Sequence, residues 1–459
     1  MATVSIEAPP STRSLSEILQ AAQDDPDVKS VRIIGGGSFT EPVIIRKYTT
    51  FDSSTYSCDV TLATLPAFHA RLSQSELALL RDIPFSDYGS FLVHDNVYVG
   101  GTWKFPQAIL DIMRAPGDPV ERAKKMAAIP AGEGTTILEP AFSITPAHPL
   151  VEVFQAWGDV CCSHTSKAEN ITIQGFKIKG RQTVYDGGVR STVLLGNCEH
   201  CAVTDFYLED TASIGITAGG SGLERNNFAR DVVFTRNMFS GVAAANIATI
   251  NTEDAWIFEN YVKRPGHHNP KFGGGVCGYD HETNSPADHT RNIWLYNNFY
   301  DYEDGMQDGT GSAICAQDPY VGTKQAENNF HILNNVAVGG RYDNVFRYMS
   351  NGIYIVGLRG FTVQANYVFR TGQNAIQIYN ADKGLIEDTV FDSTGGGGNT
   401  SFWSDGLRNT TVRRNNFFAR DIPISMQAGF LEVCGTNNTF ENNFIPGVGP
   451  NAKPTQRCP

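Results

Sequence analysis

The chain of 459 residues carries 36 Lys and Arg against 48 Asp and Glu, which gives a formal net charge of −12 at neutral pH. This acidic balance disfavours a nucleic-acid partner, because such binding depends on Lys and Arg that neutralise phosphates. No apolar run in the sequence is long enough to span a membrane. Its 45 glycines and its low content of charged residues, 18%, are typical of a turn-rich all-β protein.

Residues 1–27 form a predicted N-terminal segment with a short capping helix. Ser14 to Glu17 is a capping box, and apolar residues follow on one helical face. The opening stretch, MATVSIEAPPSTRS, lacks the apolar core of a secretory signal. This is expected either of an intracellular chain or of a processed form, and we favour a processed form of a secreted or extracytoplasmic protein.

Two alternating strands around a glycine turn follow from residue 28, and residues 60–131 then interrupt the strand pattern. Helical signals begin at Ser73, run from Pro106 to Arg114 and again from Asp118 to Ile129. The insertion is either a lid beside a groove or a cap packed on the outside of the fold. The sequence is compatible with both.

One short phrase recurs from Asn170 to Phe444: a few alternating apolar and polar residues, then Asn, then an aromatic or aliphatic residue. The separation between copies runs from 23 residues (Asn237 to Asn260) to 38 residues (Asn260 to Asn298). Periods of this size indicate a stacked array, and the alternation indicates strands. The copies with Asn are at Asn237, Asn260, Asn298, Asn335, Asn366, Asn416 and Asn443, and weaker copies have Gly175, Asp205 and Thr389 in that slot.

A single such strand cannot bury its apolar face alone, so successive coils must stack and share a core. The repeated Asn is then a bend residue that can bond the Asn of the next coil. With these repeats, residues 28–445 resemble the right-handed parallel β-helix proteins of the pectin-lyase-like superfamily. The predicted fold is all-β, a right-handed single-stranded parallel β-helix of about ten or more coils, and residues 446–459 are a loop tail.

The superfamily resemblance implies a carbohydrate-active protein, because its members include polysaccharide lyases, glycoside hydrolases and uronan epimerases, alongside tailspikes and adhesins. The longest intervals bracket residues 260–335, so a groove is expected on the middle coils. If Ile353 and Ile355 face inward, Tyr354 faces outward, and the same register places Tyr279 and Gln317 outward, with Asp280 and Asp318 at the following bend. A slip of one residue would invert this assignment.

The candidate catalytic residues are the acid/base groups of these coils, namely Glu253, Asp254, Tyr279, Asp280, His281 and Asp318. The candidate substrate-binding residues are a basic loop and the outward amides and aromatics, namely Lys263, Arg264, His267, His268, Lys271, Gln317, Tyr354, Gln377 and Tyr379. Aromatic and amide side chains on an open sheet suit sugar rings and hydroxyls.

Two mechanisms fit these residues. β-Elimination or C5 proton abstraction at a uronate needs a base, here Tyr279 or His281, and cations that neutralise the carboxylate. The segment from Tyr279 to Glu282 distantly resembles the Asp-Pro-His-Asp site of mannuronan epimerases, but lacks the Pro. Hydrolysis or glycosyl transfer on a neutral glycan would instead use two carboxylates. The sequence favours lyase-type chemistry, with the glycoside hydrolase as runner-up and a non-catalytic glycan-binding solenoid as the third hypothesis.

We expect a polysaccharide or oligosaccharide partner and no cofactor, and the sequence does not determine the oligomeric state. A Ca²⁺ site could be assembled from Asp301, Glu303, Asp304 and Asp308, although a solvated acidic turn is favoured. The nine cysteines predict no metal site, and Cys277 and Cys315 are expected to stack on neighbouring coils rather than to bond. The Asn-X-Ser/Thr sequons at Asn170, Asn399, Asn409 and Asn437 are expected by chance in an Asn-rich array.

Overall fold

The computed structural model describes most of the repeat region and part of the chain before it. The described residues are 3–6, 30–33, 91–93, 98–138, 154–156, 168–180, 191–196, 198–211, 214–219, 229–265, 277–282, 290–302, 311–318, 327–339, 349–394, 400–420, 429–449, 453–456 and 458. The predicted capping helix at residues 14–22 and the helical signal at Ser73 lie outside these ranges.

The described chain winds as a right-handed parallel β-helix, which confirms the predicted fold. Each coil contributes strands to three parallel sheets, which we number 1 to 3 in the order in which a coil passes through them. Sheet 1 contains Phe91–Val93, Phe154–Ala156, Ser191–Leu195, Ile214–Gly219, Ile247–Ile250, Tyr279–Glu282, Ile314–Gln317, Ile353–Val356, Ile376–Tyr379, the first part of Thr400–Arg408, the first part of Gly429–Thr436, and Thr455–Gln456.

The strands of sheets 2 and 3 are likewise given in chain order. Sheet 2 contains Thr3–Ile6, Ser30–Ile33, Tyr98–Gly100, Ala168–Glu169, the first parts of Thr172–Lys179 and Cys198–Glu209, Ala229–Thr235, Thr252–Phe258, Arg291–Tyr296, Phe330–Leu333, Arg359–Gln364, Asp382–Glu387, Thr411–Arg413 and Thr439–Glu441. Sheet 3 contains Thr136–Leu138, the second parts of Thr172–Lys179 and Cys198–Glu209, Met238–Ser240, Tyr261–Lys263, Phe299–Asp301, Val336–Val338, Tyr367–Phe369, Val390–Asp392 and Asn416–Phe418.

The core fills the inside of this coil, because alternate residues of the strands whose side chains are described point inward and lie in register on those of the next coil. In sheet 1, for example, Tyr279 pairs with Ile314, which pairs with Ile353 and then Ile376. These four side chains are at most 1% exposed. Burial of such apolar columns contributes roughly 25 cal/mol per Å² of apolar surface and is the main force that holds the coils together.

Residues with left-handed backbone conformation make the bends at equivalent heights of successive coils. Asn251, Asn380 and Gly406 have φ of 51°, 48° and 75° and follow strands of sheet 1. L-residues adopt this region at a cost, which is smallest for Gly and Asn. The high content of Asn and Gly in the sequence therefore follows from the need for several left-handed positions in each coil.

The buried Asn ladder predicted between the coils is present at the bend between sheets 2 and 3. Nδ2 of Asn237 donates to Oδ1 of Asn260 at 3.0 Å, and the same bond joins Asn260 to Asn298, Asn298 to Asn335, and Asn335 to Asn366. Each Oδ1 also accepts the backbone N–H of the Asn one coil earlier. The ladder thus satisfies buried backbone groups at every turn.

The sequence-based prediction placed the ladder position, the Asn slot of the repeat, one residue away from its true site in three copies. Oδ1 of Asn237 accepts the N–H of Phe206 rather than that of Asp205, and Phe206 pairs with Phe176 rather than Gly175. Near the other end, Thr389 is in the ladder as predicted, but its N–H donates to Asn415 and not to Asn416. A left-handed residue precedes each slot, and in the copies at Gly175 and Asp205 it was taken for the slot; in the third copy Asn416 directly follows the true slot, Asn415.

The two described helices of the insertion pack on the outer face of sheet 3, which is the external cap of the two arrangements that the sequence left open. Helix α1 spans Gln107–Arg114 and helix α2 spans Pro119–Ala127, close to the predicted ranges. Their apolar faces cover an outward column of sheet 3 that includes Tyr207, Tyr261 and Phe299. Neither helix in this part of the chain is long and apolar enough to cross a membrane.

The C-terminal tail, predicted as a loop, returns to the coil. Its strand Thr455–Gln456 pairs with the strand Gly429–Thr436, and Cys458 is disulfide-bonded to Cys434. The tail therefore covers the end of sheet 1.

Candidate active site

A groove of about 390 Å³ lies on the outer face of sheet 1, across the middle coils. Its lining combines one carboxylate, one phenol, several amides, two hydroxyls and a disulfide. The residues are Cys277, Asp280, Ser312, Cys315, Gln317, Ser350, Asn351, Tyr354, Gln373 and Gln377.

Register and alternation place these side chains together. Asp280 pairs with Cys315, Cys315 with Tyr354, and Tyr354 with Gln377, so the four form one outward column on successive coils. The inward neighbours of Tyr354 and Gln377 are fully buried isoleucines, which fixes the direction of the column. The predicted outward orientation of Gln317, Tyr354, Gln377 and Tyr379 is therefore confirmed.

An aromatic run continues the column beyond the groove. The rings of Tyr354 and Tyr379 meet edge to face with centroids 6.0 Å apart, and Tyr379 meets Trp403 in the same way at 4.9 Å. Nε2 of Gln377 donates to the Tyr379 hydroxyl at 3.0 Å. Partial burial, with a smaller contribution from Tyr379, raises the pKa of Tyr354 above its ordinary value.

Tyr279 and His281 do not reach the groove, and the outward orientation predicted for Tyr279 was wrong. Both side chains point into the core and are 0% exposed. His281 Nδ1 lies 2.8 Å from the backbone oxygen of Thr249, and the Tyr279 hydroxyl bonds the Thr249 hydroxyl. Burial raises the pKa of Tyr279 far above its ordinary value, and a base cannot act on a substrate that it does not meet.

The remaining acids of the predicted site also separate. Asp280 lies within the strand Tyr279–Glu282 rather than at a bend, and its half-buried side chain lines the groove. Asp318 does follow its strand, but it is fully buried and accepts a bond from Nδ2 of Asn328 at 2.9 Å. Of these two carboxylates, Asp280 is the one that faces the groove.

Glu253 and Asp254 lie on sheet 2, beyond the bend at Asn251. Glu253 is ion-paired to both Arg230 and Arg291, and its side chain is 5% exposed. Burial raises the pKa of this carboxyl, but the bonds and charges of the two arginines outweigh burial and hold it below its ordinary value. The arrangement has the character of a structural ion pair between coils.

Asp254 accepts a bond from Nδ2 of Asn292 at 2.8 Å on the same face of sheet 2. The four carboxylates that were expected to supply the pair for hydrolysis, Glu253, Asp254, Asp280 and Asp318, are thus divided between two sheets.

The basic loop expected beside the groove is directed elsewhere where the structure describes it. Nζ of Lys263 donates to the carbonyl of Ala127 at the end of α2, and Arg264 donates to the hydroxyl of Ser240 on sheet 3. His267, His268 and Lys271 lie outside the described residues. The helical insertion thus engages Lys263, which had been predicted to neutralise a substrate carboxylate.

Sequence reasoning missed several groove residues. Asn351, Gln373 and Ser350 belong to the turns that enter sheet 1, where no strand alternation identifies the direction of a side chain. Trp403 pairs with Gln377, so the register used for Gln377 would have found it.

Cys277 and Cys315, predicted to stack, are joined as a disulfide across two coils. Ligand atoms of Cys277, Asp280 and Cys315 lie within 4.8 Å of one another. Because both sulfurs are engaged in the disulfide, neither is available as a thiolate ligand. Of the predicted Ca²⁺ ligands, Asp301 is buried and accepts a bond from the Tyr261 hydroxyl at 3.0 Å, and the other three lie outside the described residues.

No protein-family model matches the chain, and no curated protein sequence matches it. Among solved structures, a mutant tailspike protein of E. coli bacteriophage HK620 in complex with pentasaccharide aligns with a TM-score of 0.51 and 12% identity, over 95% of this chain and 64% of that chain. The mannuronan C-5 epimerase A-module of Azotobacter vinelandii gives 0.47 and 11%, over 79% and 90% of the two chains. The catalytic unit of the α-1,3-glucanase from Streptomyces thermodiastaticus gives 0.49 and 11%, over 97% and 68%. At these identities the similarity to the tailspike establishes the fold alone.

Proposed function

We propose that this protein is a carbohydrate-active enzyme that holds a polysaccharide or oligosaccharide in the groove on sheet 1 and transfers a proton through Asp280. The observation that carries the proposal is the outward column of Asp280, Tyr354 and Gln377 on successive coils, flanked by further amides. Amide and phenol groups can donate to and accept from sugar hydroxyls, and the carboxylate supplies the acid/base group.

The column also has the length that a sugar chain requires. Four coil steps separate Asp280 from Trp403, through Cys315, Tyr354 and Gln377. With neighbouring strands about 4.8 Å apart, these steps span roughly 19 Å along the axis. A site of this length suits several consecutive sugar rings better than a single small molecule.

Lyase-type chemistry fits the groove better than hydrolysis. Hydrolysis needs two carboxylates within about 10 Å. Among the outward positions of this sheet whose side chains the structure describes, the other carboxylates are Asp405, which pairs with Tyr379, and Glu432, which pairs with Trp403; they lie four and five coil steps from Asp280. Those separations, roughly 19 Å and 24 Å, are too large for a shared water or a covalent intermediate.

In the proposed reaction, Asp280 as base removes the proton α to the carboxylate of a uronate. The Tyr354 phenol donates a proton either to the departing glycosidic oxygen or to the opposite face of the carbanion. The first outcome is β-elimination and the second is C5 epimerisation. The amides of Gln317 and Gln377 donate hydrogen bonds to the negative charge that develops on the carboxylate.

The test is incubation of the protein with a panel of uronate-containing and neutral polysaccharides. Absorbance of the unsaturated uronate and release of reducing ends are followed together. Both signals indicate a lyase, and reducing ends alone indicate a hydrolase and contradict the chemistry assigned to Asp280. With neither signal, incorporation of solvent deuterium at C5 identifies an epimerase, and its absence leaves binding without catalysis.

Asp280→Asn is expected to lower the active signal by about 100-fold or more, because it removes the base and keeps the shape. Glu441→Gln, on an exposed strand of sheet 2, is the matched control and should retain the rate of the unaltered protein. Equal rates in both variants would remove Asp280 from the mechanism.

A further inference from the structure

A second column of left-handed residues runs along the outside of sheet 2, separate from the groove. Strand pairing places one such residue of each described coil at the same height, with φ between 48° and 70°. The column consists of Asn170, His200, Asp231, Asp254, Asn292, Asn329, Gly360, Lys383, Asn409 and Asn437.

Three members of this column begin an Asn-X-Thr sequon, and all three asparagines are exposed. The sequons start at Asn170, Asn409 and Asn437, far apart in sequence but equivalent in the fold. In each, the next residue turns towards the interior, and the Thr that follows is the next outward residue of the strand. The left-handed bend therefore presents both the amide and the hydroxyl on the solvent side.

The local hydrogen bonds of Asn409 and Asn437 tolerate a substituent on their side-chain amides. Nδ2 of Asn409 donates to Oδ1 of Asp382 at 2.7 Å, and Nδ2 of Asn437 donates to Oδ1 of Asn409 at 3.2 Å. An amide nitrogen carries two hydrogens, so replacing one still leaves a donor for the existing bond. The modification would cost the fold little at these positions.

The cysteines supply an independent observation about the compartment. Three disulfides join Cys198 to Cys201, Cys277 to Cys315, and Cys434 to Cys458 within the described residues. Disulfides form and persist in oxidising compartments, and N-glycosylation takes place on the secretory route to the same compartments.

We propose that Asn170, Asn409 and Asn437 are N-glycosylation sites. The donor is a lipid-linked oligosaccharide: the amide nitrogen forms a bond to the anomeric carbon, the bond from that carbon to the lipid diphosphate breaks, and the amide proton is released. The glycans stand on sheet 2, beyond the bend at Asn251, and leave the groove on sheet 1 open. The inference is independent of the proposed enzymatic function.

The experiment is secretion of the full chain, behind a heterologous leader, from a eukaryotic host. Peptide N-glycosidase should increase its mobility in gels and convert the three asparagines to aspartates, as mapped by mass spectrometry of peptides. Asn292 and Asn329 are internal controls, because they occupy the same column without a Thr or Ser two residues later. A secreted, folded protein with all three asparagines intact would overturn the proposal.

Matched variants separate glycosylation from a general effect on folding. Thr411→Ala should abolish the glycan at Asn409, and Thr411→Ser should retain it, since the hydroxyl is required and the methyl group is not. His331→Thr places a hydroxyl two residues after Asn329 and should add one glycan. Equal occupancy of Asn409 in the two Thr411 variants, or an unmodified Asn329 in the His331 variant, would contradict the role given to this column.

Discussion

Asn260 donates a hydrogen bond from Nδ2 to Oδ1 of Asn298, 2.9 Å away and 38 residues further along the chain. The same Oδ1 accepts the backbone N–H of Asn260 at 3.0 Å. One side chain therefore holds two coils in register while satisfying a backbone donor that has no strand partner. Repetition of this bond along the bend between sheets 2 and 3 makes each Asn depend on the next.

The ladder predicts that two adjacent asparagines, Asn415 and Asn416, contribute very differently to the free energy of unfolding. Asn415 is buried and bonds Asn443, the carbonyl of Ile386 and the N–H of Thr389, whereas Asn416 is half-buried outside the ladder. Asn415→Ala should lower the free energy of unfolding by about 2–4 kcal/mol, because it orphans buried donors and acceptors. Asn416→Ala should cost less than about 1 kcal/mol. Urea unfolding of both variants checks this, and equal costs would contradict the assignment of the slot.

His281 is expected to be a core residue and not a catalytic one. His281→Ala should leave a cavity beside Phe330 and lower the free energy of unfolding by about 2–4 kcal/mol. Asp280→Asn, one residue away but outward, should change it by less than about 1 kcal/mol while removing activity. Thermal unfolding and enzyme rates of the two variants are compared. A stable but inactive His281→Ala variant would contradict the inward orientation.

The ion pairs of Glu253 predict a specific loss of stability in acid. Its pKa in the folded state lies below its ordinary value of 4.5, so the pairs contribute stability above that pH and lose it as the pH falls through the folded-state pKa. Glu253→Gln should therefore be less stable than the unaltered protein at pH 7 and show a smaller decrease between pH 5 and pH 3. Urea unfolding across this range provides the measurement. If the free energy of unfolding of Glu253→Gln fell with decreasing pH as steeply as that of the unaltered protein, the ion pairs of Glu253 would not be the source of the acid sensitivity. Glu441→Gln, which changes an exposed carboxylate, is the control.

The contacts of Arg420 predict that this residue stabilises the packing of helix α2 against sheet 3. Its guanidinium bonds the buried Asp392 on sheet 3 and, at 2.8 Å, Asp118 at the start of α2. Arg420→Met should cost about 3 kcal/mol, because it leaves the carboxylate of Asp392 buried without this partner. The variant should also speed proteolytic cleavage within residues 101–138. Lys124→Met, which breaks an exposed pair with Glu121, should cost less than about 1 kcal/mol and leave cleavage unchanged.

The sequence by itself determined the repeat, the strand character of each coil, the Asn ladder and the two helices of the insertion. These features are set by local rules: alternation along a strand, capping at Asp118, and a period that forces stacking. Outward Tyr354, Gln377 and Tyr379 were also predictable, because flanking isoleucines fix the direction of their strands, and outward Gln317 followed when that register was carried to the neighbouring strand.

Only the tertiary structure decided which residues point inward in a strand whose two faces both carry polar side chains, and which partners the polar side chains contact. Tyr279 and His281 alternate with Asp280 and Glu282, and both sets contain polar groups, so a one-residue shift in phase leaves the pattern of the strand unchanged. The coils above settle the phase, because Tyr279 must lie on Ile314 in the core. The destination of Lys263 and the pairing of Cys277 with Cys315 likewise depend on contacts between distant segments, which no local spacing encodes.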